Sequence, residues 1–147
     1  MQITRLGPGD AALVAAATPL FDRPPAPAAV PGFLADPASY LLVAYIDHQP
    51  VGFVRAHALR QLDTPRPQML LYEIGVAPAF QRQGVARGLV EALQALCRER
   101  DAEELFVITN ETNEPAMELY RSTGGQREAE DDVVFVYPFN SAIPRQS

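Results

Sequence analysis

The clearest chemical signature is Gln81-Arg82-Gln83-Gly84-Val85-Ala86, which lies between a strand-like run, residues 71–76, and an amphipathic run. A strand, a tight turn and a helix start, in that order, expose the first backbone N–H groups of the helix, which lack internal partners. The helix dipole adds partial positive charge at the same end. A phosphate group is favoured there. Gly84 lets the backbone approach a bulky anion, and Ala86 does so where a second glycine could sit. Arg82 and Arg87 bring positive charge to either side of the turn. The pattern is neither GxxxxGK[ST] nor GxGxxG, which disfavours nucleoside triphosphates and dinucleotides. Gly84 and, further on, Gly124 could also be a helix start and a helix stop with no ligand.

Such a turn needs a strand before it and a helix after it, and the sequence supplies both. Gln2–Leu6 reads as an edge strand, followed by a short Ala-rich helix from about Asp10, a favourable N-cap. Residues 18–32 carry Pro19, Pro24, Pro25, Pro27 and Pro31. They predict an ordered loop with at most a brief helical turn, either a plain connector or the lining of a substrate mouth. Residues 40–46 and 51–59 read as two strands joined at Asp47-His48-Gln49-Pro50, a hairpin signature. Gln68–Val76 is a third strand of this central group. The period then changes: Leu89, Leu93, Leu96 and Cys97 share one helical face, with Ala86 and Val90 at its edge, which predicts a helix over 84–100. Residues 104–109 read as a strand, 115–122 as a helix ended by Gly124-Gly125, and 133–139 as a closing strand. The result is a mixed α/β (α+β) fold in one domain over 1–147.

Composition narrows the function. Apolar residues make up 48% and charged residues 20% of 147, which is a globular balance. A net charge of −6 argues against nucleic acid, whose phosphates demand surplus Lys and Arg, and is compatible with a cationic ligand. No apolar run is long enough to span a membrane. The N-terminal MQITRLGPGD lacks the layout of a signal peptide, so the expected location is cytoplasmic. Cys97 is the one cysteine; it can form no internal disulfide, and its place on the apolar helix face assigns it to the core.

The turn Gln81–Ala86 resembles the Q/R-x-x-G-x-G/A signature of the GNAT superfamily of N-acetyltransferases. Downstream, Asn113-Glu114-Pro115-Ala116-Met117-Glu118-Leu119-Tyr120-Arg121-Ser122-Thr123-Gly124 resembles that superfamily's N-x-x-A-x-x-L-Y-x-x-x-G element. The likeness spans residues 40–139. It implies a twisted mixed sheet whose fourth and fifth strands splay apart around acetyl-CoA. On that reading the backbone of Ile74, Gly75 and Val76 pairs with the pantetheine arm, with the Val76 N–H facing the thioester oxygen. Gln81, Arg82, Gln83, Gly84, Val85, Ala86 and Arg87 hold the pyrophosphate. Asn113 and Ala116 contact the cofactor, and the Tyr120 hydroxyl is the general acid for the leaving thiolate.

The acceptor is an amine, mostly protonated at neutral pH, so a base or proton path is needed. Glu73, on the strand entering the turn, is the candidate base and substrate ligand; otherwise it only pairs with a neighbouring cation. His57, at a strand end, reads as structural, and His48 as an exposed turn residue. Acidic residues recur at Glu111, Glu114, Glu128, Glu130, Asp131 and Asp132, and a run of this kind is most often solvated loop. The resemblance is closest to the GNAT-type aminoglycoside 3-N-acetyltransferases, where an acidic pair precedes a hydrophobic closing strand. It implies Glu73, Glu111, Asp131 and Asp132 around a cationic aminocyclitol acetylated on its 3-amino group. Homodimers are frequent in that family. Acetylation of polyamines, small amines or protein N-termini is the alternative, and a CoA-binding module without turnover is a third.

Overall fold

The computed structural model describes residues 1–140; residues 141–147 of the expected domain lie outside them. The elements are β1 (Gln2–Leu6), α1 (Ala11–Ala16), α2 (Val30–Ala35), β2 (Ser39–Ile46), β3 (Gln49–Leu59), β4 (Gln68–Val76), α3 (Val85–Glu99), β5 (Glu104–Val107) and α4 (Glu114–Ser122). Single 3₁₀ turns lie at Thr18–Leu20 and Pro78–Phe80. The strands form one sheet in chain order, antiparallel from β1 to β4 and parallel between β4 and β5, which makes it mixed. Among the described residues no helix is long and apolar enough to cross a membrane.

The β2–β3 hairpin is tight because Asp47 and His48 both take positive φ, 49° and 63°. Turns of that handedness match the twist of the flanking strands. In β2, successive side chains then point to opposite faces of the sheet. Tyr40, Leu42 and Ala44 meet α3, while Leu41 and Val43 join Leu6, Val14, Leu34 and Phe53 under α1 and α2. Burial on both faces makes this strand apolar throughout.

Helix α3 lies along one face through Val85, Leu89, Val90, Leu93 and Cys97. Leu89 and Leu93 are fully buried, and each such side chain contributes roughly 1.5–3 kcal/mol of transfer free energy. The helix sits close because Gly52 of β3 has no side chain: a Cβ there would stand 2.8 Å from Val85 Cγ1 and 3.2 Å from Leu89 Cδ1. Thus a glycine in the sheet sets where α3 begins.

Several expectations are corrected. Residues 133–139 form no strand; their backbone finds no partner, and their apolar side chains stay exposed. Strand propensity was legible there, but pairing depends on where the chain is carried. As expected, residues 18–32 include brief helical turns, at Thr18–Leu20 and at the start of α2, where Pro31 fits because its missing N–H would be unpaired anyway. Asp10 stands at the N-cap of α1, yet its carboxylate accepts the Gly7 N–H at 2.8 Å instead of capping the helix. On α3 the expected face holds, with Leu96 packed against the core and Val85 added to it. Strand β5 stops at Val107, where its parallel pairing with β4 ends.

Candidate active site

Strands β4 and β5 pair only between Gln68–Leu71 and Glu104–Val107. Beyond Leu71 the side of β4 facing β5 has no strand partner, and a groove of about 1010 Å³ opens there. The Ala77 N–H bonds to the Val51 carbonyl of β3 at 2.8 Å. Because backbone groups alternate along a strand, the Val76 N–H and C=O face the other way, into the gap. The Val76 carbonyl accepts the Gln81 side-chain amide at 3.2 Å, which ties down the turn between β4 and α3. The unsatisfied Val76 N–H is a free donor on the groove wall.

The turn ends at Gly84, with φ of 84°, a left-handed value that only glycine adopts without strain. No side chain caps α3, so its first N–H groups are open to a ligand. Its 15 residues align their peptide dipoles behind that end. Gln81, Arg82, Gly84, Val85, Ala86 and Arg87 line the groove, as do Glu73, Ile74, Gly75 and Val76. Arg82 is itself left-handed, φ 61°, so the turn carries strain just where the helix starts. Arg87 is partly occupied, its Nε 2.9 Å from Glu91 Oε1 one helical turn on. Gln83 does not line the groove; its amide donates to the Ala79 carbonyl at 3.1 Å. Its side chain therefore braces the turn.

The opposite wall is α4, which contributes Asn113, Ala116 and Tyr120. Asn113 Oδ1 accepts the Ala116 N–H at 3.2 Å, capping α4 and leaving its amide NH₂ as the free end. At the other end the Gly125 N–H donates to Tyr120 O at 2.7 Å and the Gly124 N–H to Arg121 O at 3.1 Å. This paired closure, with Gly124 at φ 98°, ends the helix. A Cβ on Gly125 would stand 2.8 Å from Tyr120 O, so only glycine fits. Tyr120 is half-buried against the α3 core, and desolvation pushes its hydroxyl pKa above the ordinary 10.0. The phenol therefore keeps its proton throughout neutral pH.

A second hollow of about 900 Å³ adjoins the groove and is walled by the Pro-rich segment, α2 and the middle of β3 and β4. Phe21, Pro24, Pro25, Val30 and Phe33 give it apolar sides, so the proline segment does line a cavity. Leu20 is seated on β4 because Gly75 has no side chain; a Cβ there would meet Leu20 O at 3.3 Å and the Phe53 ring at 2.8 Å. Glu73 lines both the hollow and the groove. It is not a free carboxylate: Arg55 Nε lies 3.0 Å from its Oε1. That approach is off the N–H axis, leaving the Arg55 Nε–H without an aligned acceptor, so the contact is an ion pair and not a directed hydrogen bond. The guanidinium also lies 4.0 Å above the Tyr72 ring.

A register shift sets this geometry. Arg55 opposes Glu73 but Ala56 opposes Leu71, so Tyr72 is an extra residue in β4. Bulges of this kind re-aim side chains beside functional sites. Arg55 was missed from the sequence; only the β3–β4 register reveals it. His57 stands edge-on to Phe33 and Tyr72, with ring centroids 5.7 and 5.8 Å away, and its Nδ1 is 3.3 Å from Ser39 Oγ. Desolvation lowers its pKa below 6.5, Arg55 adds to this, and Asp36 opposes it. It supports the hollow without lining it.

The remaining acidic candidates are not brought to Glu73. Glu111 lines a separate hollow on the outer side of α4, 3.4 Å from Arg127. Asp131 and Asp132 are exposed and line neither cavity, because the strand expected to carry them inward is not formed. In the hollow, Asp22 and Glu73 are balanced by Arg23 and Arg55, so it is not the acidic pocket expected.

Comparison with known proteins agrees with this geometry. Residues 12–124 match the family described as Acetyltransferase (GNAT) family. An aminoglycoside acetyltransferase from an uncultured soil metagenomic sample, solved in complex with sisomicin, superposes with a TM-score of 0.83 at 26% identity, covering 95% of this chain and 96% of that one. A ribosomal-protein-alanine N-acetyltransferase from Brucella melitensis gives 0.73 at 26% identity, over 95% and 100%. N-acetyltransferase 8 of Rattus norvegicus is 27% identical over 122 residues, 75% of this chain and 55% of the relative. The chain thus spans about half the length of the curated relatives it matches.

Proposed function

The chain belongs to the acetyltransferase (GNAT) family, which uses acetyl-CoA, and we propose that it acetylates a primary amine of an aminoglycoside, the 3-amino group first among them. One observation carries the reading: a single groove unites the open edge of β4, the uncapped start of α3 and the Tyr120 side chain. These residues fit acetyl-CoA by their chemistry. The N–H groups after Gly84, with Arg82 beside them, suit a pyrophosphate. The bare edge at Ile74–Val76 suits an extended amide chain paired like an added strand. The cofactor supplies the acetyl group as an activated thioester.

The rest falls to the protein. The Val76 N–H is a fixed donor for an oxygen that gains negative charge, and such donors are worth most where water is excluded. Tyr120 Oη holds a proton at neutral pH and supplies it to the departing thiolate. Glu73 stands where the two cavities meet and holds the ammonium of the acceptor, taking its proton before attack. For that it must exchange Arg55 for the substrate. Support for an aminoglycoside comes from the sisomicin-bound relative, which matches over nearly the whole of both chains.

A second reading is an amine on an apolar body, favoured by the walls of Phe21, Pro24, Pro25, Val30 and Phe33. Replacing Glu73 by Gln tests the shared element. The Michaelis constant for the amine should rise at least tenfold, with acetyl-CoA affinity unchanged. An unaltered constant would remove Glu73 from the site. Product mass spectrometry with sisomicin and with phenethylamine then separates the two acceptors.

A further inference from the structure

The groove passes through the sheet. Val85 and Tyr120 at one end belong to the core on the α3 face, whereas Leu20 and Phe53 at the other belong to the core under α1 and α2. It crosses where β4 has no strand partner on its β5 side, past Ile74, Gly75 and Val76. Asp22, Tyr72 and Glu73 line both this far end and the hollow. Whatever enters the hollow therefore meets whatever fills the groove at the far end.

That end is closed by an apolar wall. Ile74 and Val76 pack against the α3 core, so Gly75 between them presents the opposite face of β4. Having no side chain, Gly75 leaves that face to its neighbours: a Cβ there would stand 2.8 Å from Phe53 Cε1 and 3.3 Å from Leu20 O. Phe53 opposes Gly75 in the register of β3 and β4 and is 2% exposed. Behind it lies Phe21, with ring centroids 4.1 Å apart, so the Phe53 ring is wedged between Gly75 and a second ring. Leu20 is held in turn by its 3₁₀ turn, whose Leu20 N–H donates to the Ala17 carbonyl at 2.9 Å.

We propose that Phe53, seated over Gly75, is the residue that restricts the transferred acyl group to acetyl. The proposal rests on the groove being the acetyl-CoA site and is independent of which amine accepts the group. A thioester carbon carries an oxygen, a sulfur and an acyl chain, and the amine approaches it from a fourth direction. The Val76 N–H serves the oxygen, Tyr120 the sulfur and Glu73 the amine. The wall of Phe53 and Leu20 is left for the chain. A longer chain would have to displace a ring already backed by another, and one methylene against such a wall discriminates roughly 10- to 200-fold.

Calorimetry on the whole chain tests this without any amine. The probes are analogues of acetyl-, propionyl- and butyryl-CoA in which a methylene replaces the thioester sulfur, so binding is read apart from transfer. Native affinity should fall at least about tenfold for each added methylene. Phe53→Ala, and Phe53→Leu, which keeps most of the core filled, should recover about fourfold or more per methylene while still binding the acetyl analogue. Val43 opposes Phe53 in the same core but lines neither cavity, so Val43→Ala should keep the native chain-length profile. Equal native affinity for the three analogues overturns the proposal. So does a Phe53→Leu profile parallel to the native one, or a Val43→Ala profile flattened as much as that of Phe53→Leu. Failure of every analogue to bind overturns the groove assignment itself, and this proposal with it.

Discussion

Replacing Tyr120 by Phe removes one oxygen from the groove wall and leaves the ring packed against the α3 core. If the hydroxyl donates to a departing thiolate, the variant loses a hydrogen bond that forms to a charge only as the bond to sulfur breaks. Bonds to charged groups contribute about 1.5–3 kcal/mol, which is roughly 10- to 150-fold in rate at about 1.4 kcal/mol per tenfold. The expected result is a turnover number about 100-fold lower, with acetyl-CoA affinity within about twofold. Because desolvation raises the phenol pKa above 10.0, the native enzyme should show no loss of this acid below that pH. Steady-state thiol release against acetyl-CoA concentration, paired with calorimetric cofactor binding, reads both quantities. Equal loss of turnover and affinity would mean that the hydroxyl only organises the groove. Unchanged turnover would remove Tyr120 from the chemistry.

Four further outcomes follow from the packing. Arg55→Met frees Glu73 for a cation; a half-exposed pair is worth at most about 1 kcal/mol, so the Michaelis constant for an amine should fall up to about fivefold, and a rise would show that Arg55 itself binds the acceptor. His57 has its folded pKa below the unfolded 6.5, so the unfolded state takes up its proton first as pH falls. Stability is therefore complete above 6.5 and declines as pH drops towards the folded value, and His57→Asn should flatten that part of a urea-midpoint profile. Gly52→Ala places a Cβ 2.8 Å from Val85 Cγ1 and should cost about 1–3 kcal/mol while weakening acetyl-CoA binding. Gly88→Ala meets the flexible tip of Met1 and, at 3.4 Å, the end of the Ile3 side chain, and should be neutral or stabilising in the same denaturation assay.

The parts of the fold that were legible share one cause: local periodicity. Gln68–Val76 was readable because it alternates, and α3 because its apolar residues recur at helical spacing. The phosphate-type turn could be read because Gly84 sits between those two elements. What could not be read depends on register and on partners. Arg55 reaches Glu73 only through the extra residue at Tyr72, and no window of sequence encodes a bulge between strands so far apart in sequence. Residues 133–139 have the composition of a strand but not a neighbour, so propensity alone assigned them a place in the sheet. Asp131 and Asp132 were drawn to the acceptor by that assignment and left it with the strand. The proline segment carried no helical period, so its sequence left open whether it was a plain connector or a cavity wall; the fold decides, because it walls the hollow beside Glu73 together with α2.

The most direct test of the account is thiol release from acetyl-CoA with sisomicin, a polyamine, phenethylamine and a peptide N-terminus as acceptors. The account predicts turnover that requires an amine, is greatest with sisomicin, and is abolished together with acetyl-CoA binding when Gly84 is replaced by Pro. Acetyl-CoA binding without thiol release for any amine would contradict it and leave a protein that holds the cofactor without using it.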